Sequence, residues 1–188
     1  MAVITVSRQY GSLGNVVVNA VAARLGYRVA MRELINQAAL RAGAPSVALA
    51  VIDELHLLGI SPDPEEYQAY IHSVRTVIEE LAAEGSVILA GRGGQAVLRG
   101  RPGVLHVKII APLEIRAQRL AERHSISLQA ARAQARASDR ARCQYLKRFY
   151  DLDWNDPLLY DLVINTARLS DEAACDLICR AVQLLHAP

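Results

Sequence analysis

The run Ile4-Thr5-Val6-Ser7-Arg8-Gln9-Tyr10-Gly11-Ser12-Leu13-Gly14-Asn15-Val16-Val17-Val18 constrains the chain more than any other stretch. Val3 to Val6 is β-prone, Gly11 and Gly14 punctuate a turn, and an apolar-rich segment follows from Val16 to Leu25. Strand, glycine turn and helix in that order are the framework of a phosphate-binding loop. The strand carries the backbone out of a sheet and glycines let it curl round an anion. The unpaired N–H groups at the helix start then point at the bound oxygens. The full pattern asks for glycine at position 9, lysine at 15 and a hydroxyl residue at 16; this chain has Gln9, Asn15 and Val16. The run by itself fits two readings. One is an anion cradle lacking its lysine and its magnesium-binding hydroxyl. The other is a tight strand-to-helix turn of the kind any α/β protein uses.

A chain of 188 residues, 52% of them apolar, suits one domain with a buried core, so residues 1–188 are read as a single domain. A net charge of +2 makes no electrostatic case for nucleic acid. Lysine occurs only at Lys108 and Lys147, both far from the glycine loop in sequence. Phosphate recognition therefore leans on arginine, whose planar fork suits phosphate oxygens. Cys143, Cys175 and Cys179 show neither disulfide nor zinc spacing; Cys175 and Cys179, one helical turn apart, read as buried thiols. A strand begins almost at Met1, leaving no room for a signal peptide, and the apolar runs are too short to span a bilayer. The expected setting is reducing and cytoplasmic, without a membrane partner.

Periodicity and punctuation predict alternating strands and helices. A first helix runs from Asn15 to Leu25 and stops at Gly26. An extended piece, Tyr27 to Ala30, precedes a second helix from Arg32 to Ala42, and Ser46 to Leu58 is apolar and helical in propensity. Asp63-Pro64-Glu65-Glu66 opens a helix, with Asp63 as cap and Glu66 at the capping-box position. Tyr67, Tyr70, Ile71, Val74, Val77, Ile78 and Leu81 make its apolar face. Val87 to Ala90 and Val104 to Ile110 read as strands buried on both faces. Pro112 opens a helix to Arg123, Ser127 caps one from Leu128 to Tyr150, Leu162 to Asn165 is a last strand, and Ser170 caps the closing helix. The predicted architecture is α/β: three layers, a parallel sheet flanked by helices, with ligands beyond the carboxyl ends of the strands. The glycine loop, Gly91-Arg92 and the turn after Ile110 all fall at that end.

The sequence resembles the cytidylate kinase-like branch of the nucleoside monophosphate kinases. The resemblance rests on Ile4 to Gly14, on Leu81 to Arg92, on Asp139-Arg140-Ala141-Arg142 with Tyr145, and on Trp154-Asn155-Asp156-Pro157 followed by Tyr160 to Thr166. It implies a P-loop fold with an Arg-rich helical lid, about residues 127–150. ATP phosphates would lie on Gly11, Ser12, Leu13, Gly14 and Asn15, and Arg92 would grip the acceptor phosphate. Arg140 and Arg142 would bring charge to the transferring phosphoryl, with Asp139 orienting them. The implied cofactors are ATP and Mg2+. The implied reaction moves the ATP γ-phosphate to CMP, dCMP or a similar phosphate acceptor, and the implied partners are nucleotides. This chain departs from the family pattern. The loop usually reads Gly-Ser-Gly-Gly, where Leu13 stands here; a basic residue usually stands at 15; and Ala30-Met31-Arg32-Glu33 replaces Tyr-Asp-Lys-Glu, so that Met31 removes a carboxylate. One well-placed charge in phosphoryl transfer is worth about three to five orders of magnitude in rate. Arg8 is the candidate substitute cation.

Each feature also has a plainer reading. Arg92 can pair with a neighbouring carboxylate, and Asp139 can be an i,i+3 partner of Arg142. Arg116, Arg119 and Arg123 read as surface charge, and Trp154 as a pin for the loop after the lid. Tyr10 can stack on a base or pack beneath the loop. Three functions follow: a nucleotide kinase; a kinase-like protein that senses nucleotides or anions, or binds other proteins, without efficient catalysis; or a kinase of some other small alcohol or phosphate ester. The apolar excess around Val47 to Leu58 suggests a homodimer.

Overall fold

The computed structural model describes residues 2–41 and 64–185. Among them, five strands form one parallel sheet in the order β2-β3-β1-β4-β5. β1 (Val3–Arg8) is central, between β3 (Val87–Ala90) and β4 (Val104–Ile110); β2 (Arg28–Met31) and β5 (Leu162–Asn165) are the edges. All residues of β3 are buried, as a strand covered on both faces requires. In β1, Ile4 and Val6 serve one face of the sheet. Thr5 and Ser7 are buried polar residues with partners: Thr5 Oγ1 lies 2.7 Å from His106 Nδ1, and Ser7 Oγ accepts from Trp154 Nε1 at 2.7 Å.

One face is covered by α1 (Gly14–Leu25) and α7 (Asp171–Leu184). Their Val17, Val18, Val21, Ile178 and Val182 join Ile4, Val6, Val107 and Ile109 in one core. The other face is covered by α2 (Arg32–Arg41), α3 (Pro64–Glu84) and the short α4 (Gly94–Val97). There Ile35, Tyr70, Val74 and Ile78 pack with Val3, Ala30 and Leu89. α5 (Leu113–His124) and α6 (Leu128–Tyr150) pack closely through Ala117, Leu120, Ala131 and Ala135. Small residues on both helices permit that approach.

The predicted boundaries hold to within a residue or two. Gly26 ends α1 in the left-handed conformation, and Ser127 and Ser170 cap α6 and α7 through Ala130 N and Ala173 N. Strand β2 lies one residue later than predicted, which puts Met31 at its carboxyl end. The predicted helix over Ser46 to Leu58 and the Asp63 cap lie outside the described residues. Among the described residues no helix is long and apolar enough to cross a membrane. Cys175 and Cys179 are buried thiols with their sulfurs 4.0 Å apart.

Chain connections leave β1 and β3 in opposite directions, toward β2 and toward β4, so a crevice opens where their carboxyl ends meet. The turn Gly11 to Gly14 and the turn Gly91 to Gly93 border it.

His106 on β4 carries a pH consequence. Burial lowers its pKa below the usual 6.5, against a smaller opposing pull from Asp161. The unfolded chain therefore takes up this proton at higher pH than the folded one. Stability rises with pH between the folded value and 6.5, and is lost as pH falls through that window. We expect His106→Gln to shrink the drop in urea midpoint between about pH 7 and about pH 5. An undiminished drop contradicts the assignment.

Candidate phosphate-binding site

Leu13 sits at φ 61° and ψ 11° as the N-cap of α1, and its side chain makes no capping bond. The first N–H groups of the helix therefore have no side-chain acceptor, which is the arrangement an anion exploits. A left-handed leucine costs about 1–3 kcal/mol, so the surroundings must hold it there. They do so through the loop's other atoms. Ser12 is fully buried, and its hydroxyl lies 2.8 Å from Gln9 O and 3.1 Å from Ile109 O. Gln9 Oε1 accepts from Ala111 N at 3.0 Å. Thr166 Oγ1 donates to Ser12 O at 2.9 Å. Arg119 donates to Thr166 O at 2.8 Å and reaches Gly11 O at 3.5 Å. Gly11 is required twice over: its φ is 85°, and a Cβ there would lie 2.8 Å from the Arg116 carbonyl oxygen.

Gly14 has a different role. A Cβ on it would lie 2.6 Å from Arg8 Cβ and 2.8 Å from Arg8 Cγ. The Arg8 side chain thus crosses the first residue of α1 in the space the missing Cβ leaves. Its Nε donates to Asn15 Oδ1 at 2.9 Å, and one terminal nitrogen lies 3.9 Å from Met31 Sδ. A guanidinium accordingly rests on the residue that stands in the lysine position.

Beyond the loop lies a cavity of about 580 Å³ bordered by the β1 and β3 turns and by α6. Arg8, Arg32, Arg92, Arg142 and Arg148 line it. Arg92 follows β3 at φ 55° and is 8% exposed. Its Nε donates to Asn36 Oδ1 at 2.7 Å, an oxygen that also accepts from Tyr70 at 3.0 Å. Its guanidinium carbon lies 5.5 Å from the Tyr145 ring centre and 6.0 Å from that of Tyr70, within cation–π range. Arg142 donates to Ser138 O at 3.1 Å and to Ser138 Oγ. Burial first, then repulsion from Arg8, Arg32 and Arg116, brings its pKa down to about 10 despite Asp139. It stays charged at neutral pH.

The structure rearranges several expectations. Asp139 neither orients Arg140 nor pairs with Arg142. Its carboxylate accepts from Arg116 at 2.8 and 3.3 Å. Arg116 was expected at the surface and is instead 3% exposed, also donating to Ala111 O at 2.9 Å and Tyr10 O at 3.2 Å. Arg140 is exposed and does not line the cavity. Lys108, assigned no role from sequence, is buried, with Nζ 2.6 Å from Trp154 O, 3.3 Å from Asn155 Oδ1 and 4.1 Å from the Trp154 ring centre. Burial lowers its pKa below the usual 10.5. It fixes the turn that carries Trp154 against Ser7. Arg116, Arg119 and Lys108 escaped sequence reasoning because their partners are distant in sequence.

The cytidylate kinase-like family model matches residues 3–168. The chain belongs to the cytidylate kinase-like family. A cytidylate kinase from Methanopyrus kandleri is 35% identical to it over 114 residues, which are 56% of this chain and 59% of that relative. An uncharacterized protein from Eubacterium ventriosum superimposes with a TM-score of 0.77 at 19% identity, covering 97% of this chain and 99% of the other. A gluconokinase from Sinorhizobium meliloti does so at 0.58 and 14% identity, covering 99% and 98%. These two likenesses show the fold, that of the P-loop kinases.

Phosphoryl-transfer sites of kinases generally use magnesium. Such sites hold the metal with one or two carboxylates beside the substrate phosphates. Here Val16 replaces the hydroxyl ligand, and no Asp or Glu is among the described residues lining the cavity. No cluster of metal-binding side chains occurs among the described residues either. Among the described residues, no side-chain cluster forms a protein-held magnesium site.

Removing the Asp139 carboxylate leaves Arg116 buried without its counter-charge. Asp139→Asn should lower unfolding free energy by about 3 kcal/mol, whereas Arg140→Gln should cause no measurable change in urea unfolding. Equal effects of the two contradict the pairing.

Proposed function

We propose that this family member transfers the γ-phosphoryl group of ATP to CMP or dCMP, slowly, in the cavity between the glycine loop and α6. One observation carries the reading: the Arg8 guanidinium, laid across Gly14 onto Asn15, lines the same cavity as Arg92 and Arg142. Phosphoryl transfer asks the protein for alignment and charge neutralisation. In this reading the N–H groups opening α1 and Arg8 take the ATP phosphates. Arg92, fixed by Asn36 and two aromatic rings, takes the acceptor phosphate. Arg142 reaches the transferring group from α6, which acts as the lid, and Arg116–Asp139 keeps that lid in register with the loop.

The missing carboxylate at Met31 bears on the acceptor class. An alcohol acceptor needs a base to take its proton. A phosphate monoester, with a second pKa near 6, is already ionised at neutral pH. A cavity rich in arginine and without a described carboxylate thus favours a phosphate acceptor over an alcohol. The losses at positions 15 and 16 support slow turnover. They also favour a second reading, a nucleotide-sensing module of the same fold.

Mass-spectrometric detection of ADP and CDP from ATP and CMP decides between them. We expect slow CDP formation, no product with cytidine, and a loss of about 10³-fold in Arg142→Gln. Nucleotide-induced thermal stabilisation without product selects the sensing module and rejects the kinase.

A further inference from the structure

Gln95 is a buried amide that phosphate binding leaves unused. It stands in α4, three residues after Arg92, is 4% exposed, and borders the cavity. Its orientation is fixed from behind. The Tyr160 hydroxyl donates its one hydrogen to Trp154 O at 3.0 Å, so toward the amide its oxygen can only accept. Gln95 Nε2 lies 3.5 Å from that oxygen. Nε2 therefore faces Tyr160, and Oε1 is turned from it. Among the described residues no donor reaches Oε1, and the second Nε2 hydrogen has no acceptor. A buried amide carbonyl without a donor is costly, and a leucine of similar shape would avoid the cost. The rings of Tyr145, Phe149 and Trp154 border the same cavity. Flat apolar surfaces beside one open acceptor and one open donor suit a planar heterocycle.

We propose that Gln95 reads the base of the acceptor nucleotide, its Oε1 accepting from the 4-amino group of cytosine and its second Nε2 hydrogen going to cytosine N3. The inference rests on the acceptor-site reading above and deepens it by naming the residue that sets base preference. Cytosine presents a donor at position 4 and an acceptor at N3. Uracil presents the reverse order, a carbonyl and then N3–H. Pairing with uracil in the same position requires the amide to turn over. Oε1 would then face the Tyr160 oxygen, whose hydrogen is committed to Trp154 O. Tyr160 is thus a positioning residue, and it makes the amide selective rather than adaptable. A site built to pair with an amino group rejects the analogue lacking it, because its own polar groups are left unpaired.

Isothermal titration of the full chain with CMP, UMP and ribose 5-phosphate tests this without requiring turnover. We expect CMP to bind at least about tenfold more tightly than UMP. Gln95→Leu should abolish that preference while leaving the affinity for ribose 5-phosphate within about twofold. Tyr160→Phe removes the group that fixes the amide and should bring UMP to within about threefold of CMP. Equal binding of CMP and UMP by the parent chain overturns this inference and leaves the phosphate site standing, as does a preference that survives Gln95→Leu. Absence of binding by all three probes overturns the acceptor-site reading along with it. The parent chain's ratio of CMP to UMP affinity needs no variant, so a substitution that fails to fold does not block the test.

Discussion

Gly14 has no side chain, and the arrangement at the mouth of the sheet depends on that. A Cβ would lie 2.6 Å from Arg8 Cβ, so any other residue would push Arg8 off the start of α1. With glycine there, a side chain rooted on the central strand crosses the helix start and lays its charge on Asn15. The uncapped N–H groups of α1 and a guanidinium then stand together. A guanidinium rooted on the strand thus rests on the residue at the position where the P-loop pattern has lysine.

Around that point the structure is held by polar contacts that join elements distant in sequence. Arg116 ties α5 to the Tyr10 carbonyl and, through Asp139, to α6. Arg119 and Thr166 hold the carbonyls of Gly11 and Ser12. Lys108 holds the Trp154 turn that in turn meets Ser7 on β1. Each is a buried or half-buried charge or hydroxyl with its bonds satisfied, as low-dielectric surroundings demand. Their joint effect is to fix loop, strand ends and α6 in one geometry around the cavity. The large apolar cores lie elsewhere, against the two faces of the sheet.

The architecture was legible because it is written locally. An unbroken apolar run marks β3 and a mostly apolar one β4, Gly26 and Ser127 mark helix ends, and the alternation of elements implies a parallel sheet. Arg92 and Arg142 were singled out through the family resemblance, and both line the cavity. Asp139 was misjudged because only its neighbours along α6 were visible, whereas its partner Arg116 sits on another helix. Arg140 looked equivalent to Arg142, yet a helix turns about 100° per residue, and two positions' difference separates exposed from cavity-facing. Lys108 lay inside an apolar strand, and nothing nearby in sequence announces the carbonyl and ring that receive its ammonium.

The central claim is that Arg8 supplies the loop's missing charge. A crystal structure of the chain with ADP bound tests it most directly. The predicted result is an Arg8 guanidinium nitrogen within about 3 Å of a β-phosphate oxygen, with the phosphates seated on the first N–H groups of α1. Phosphates bound away from α1, with Arg8 still resting only on Asn15, would contradict it.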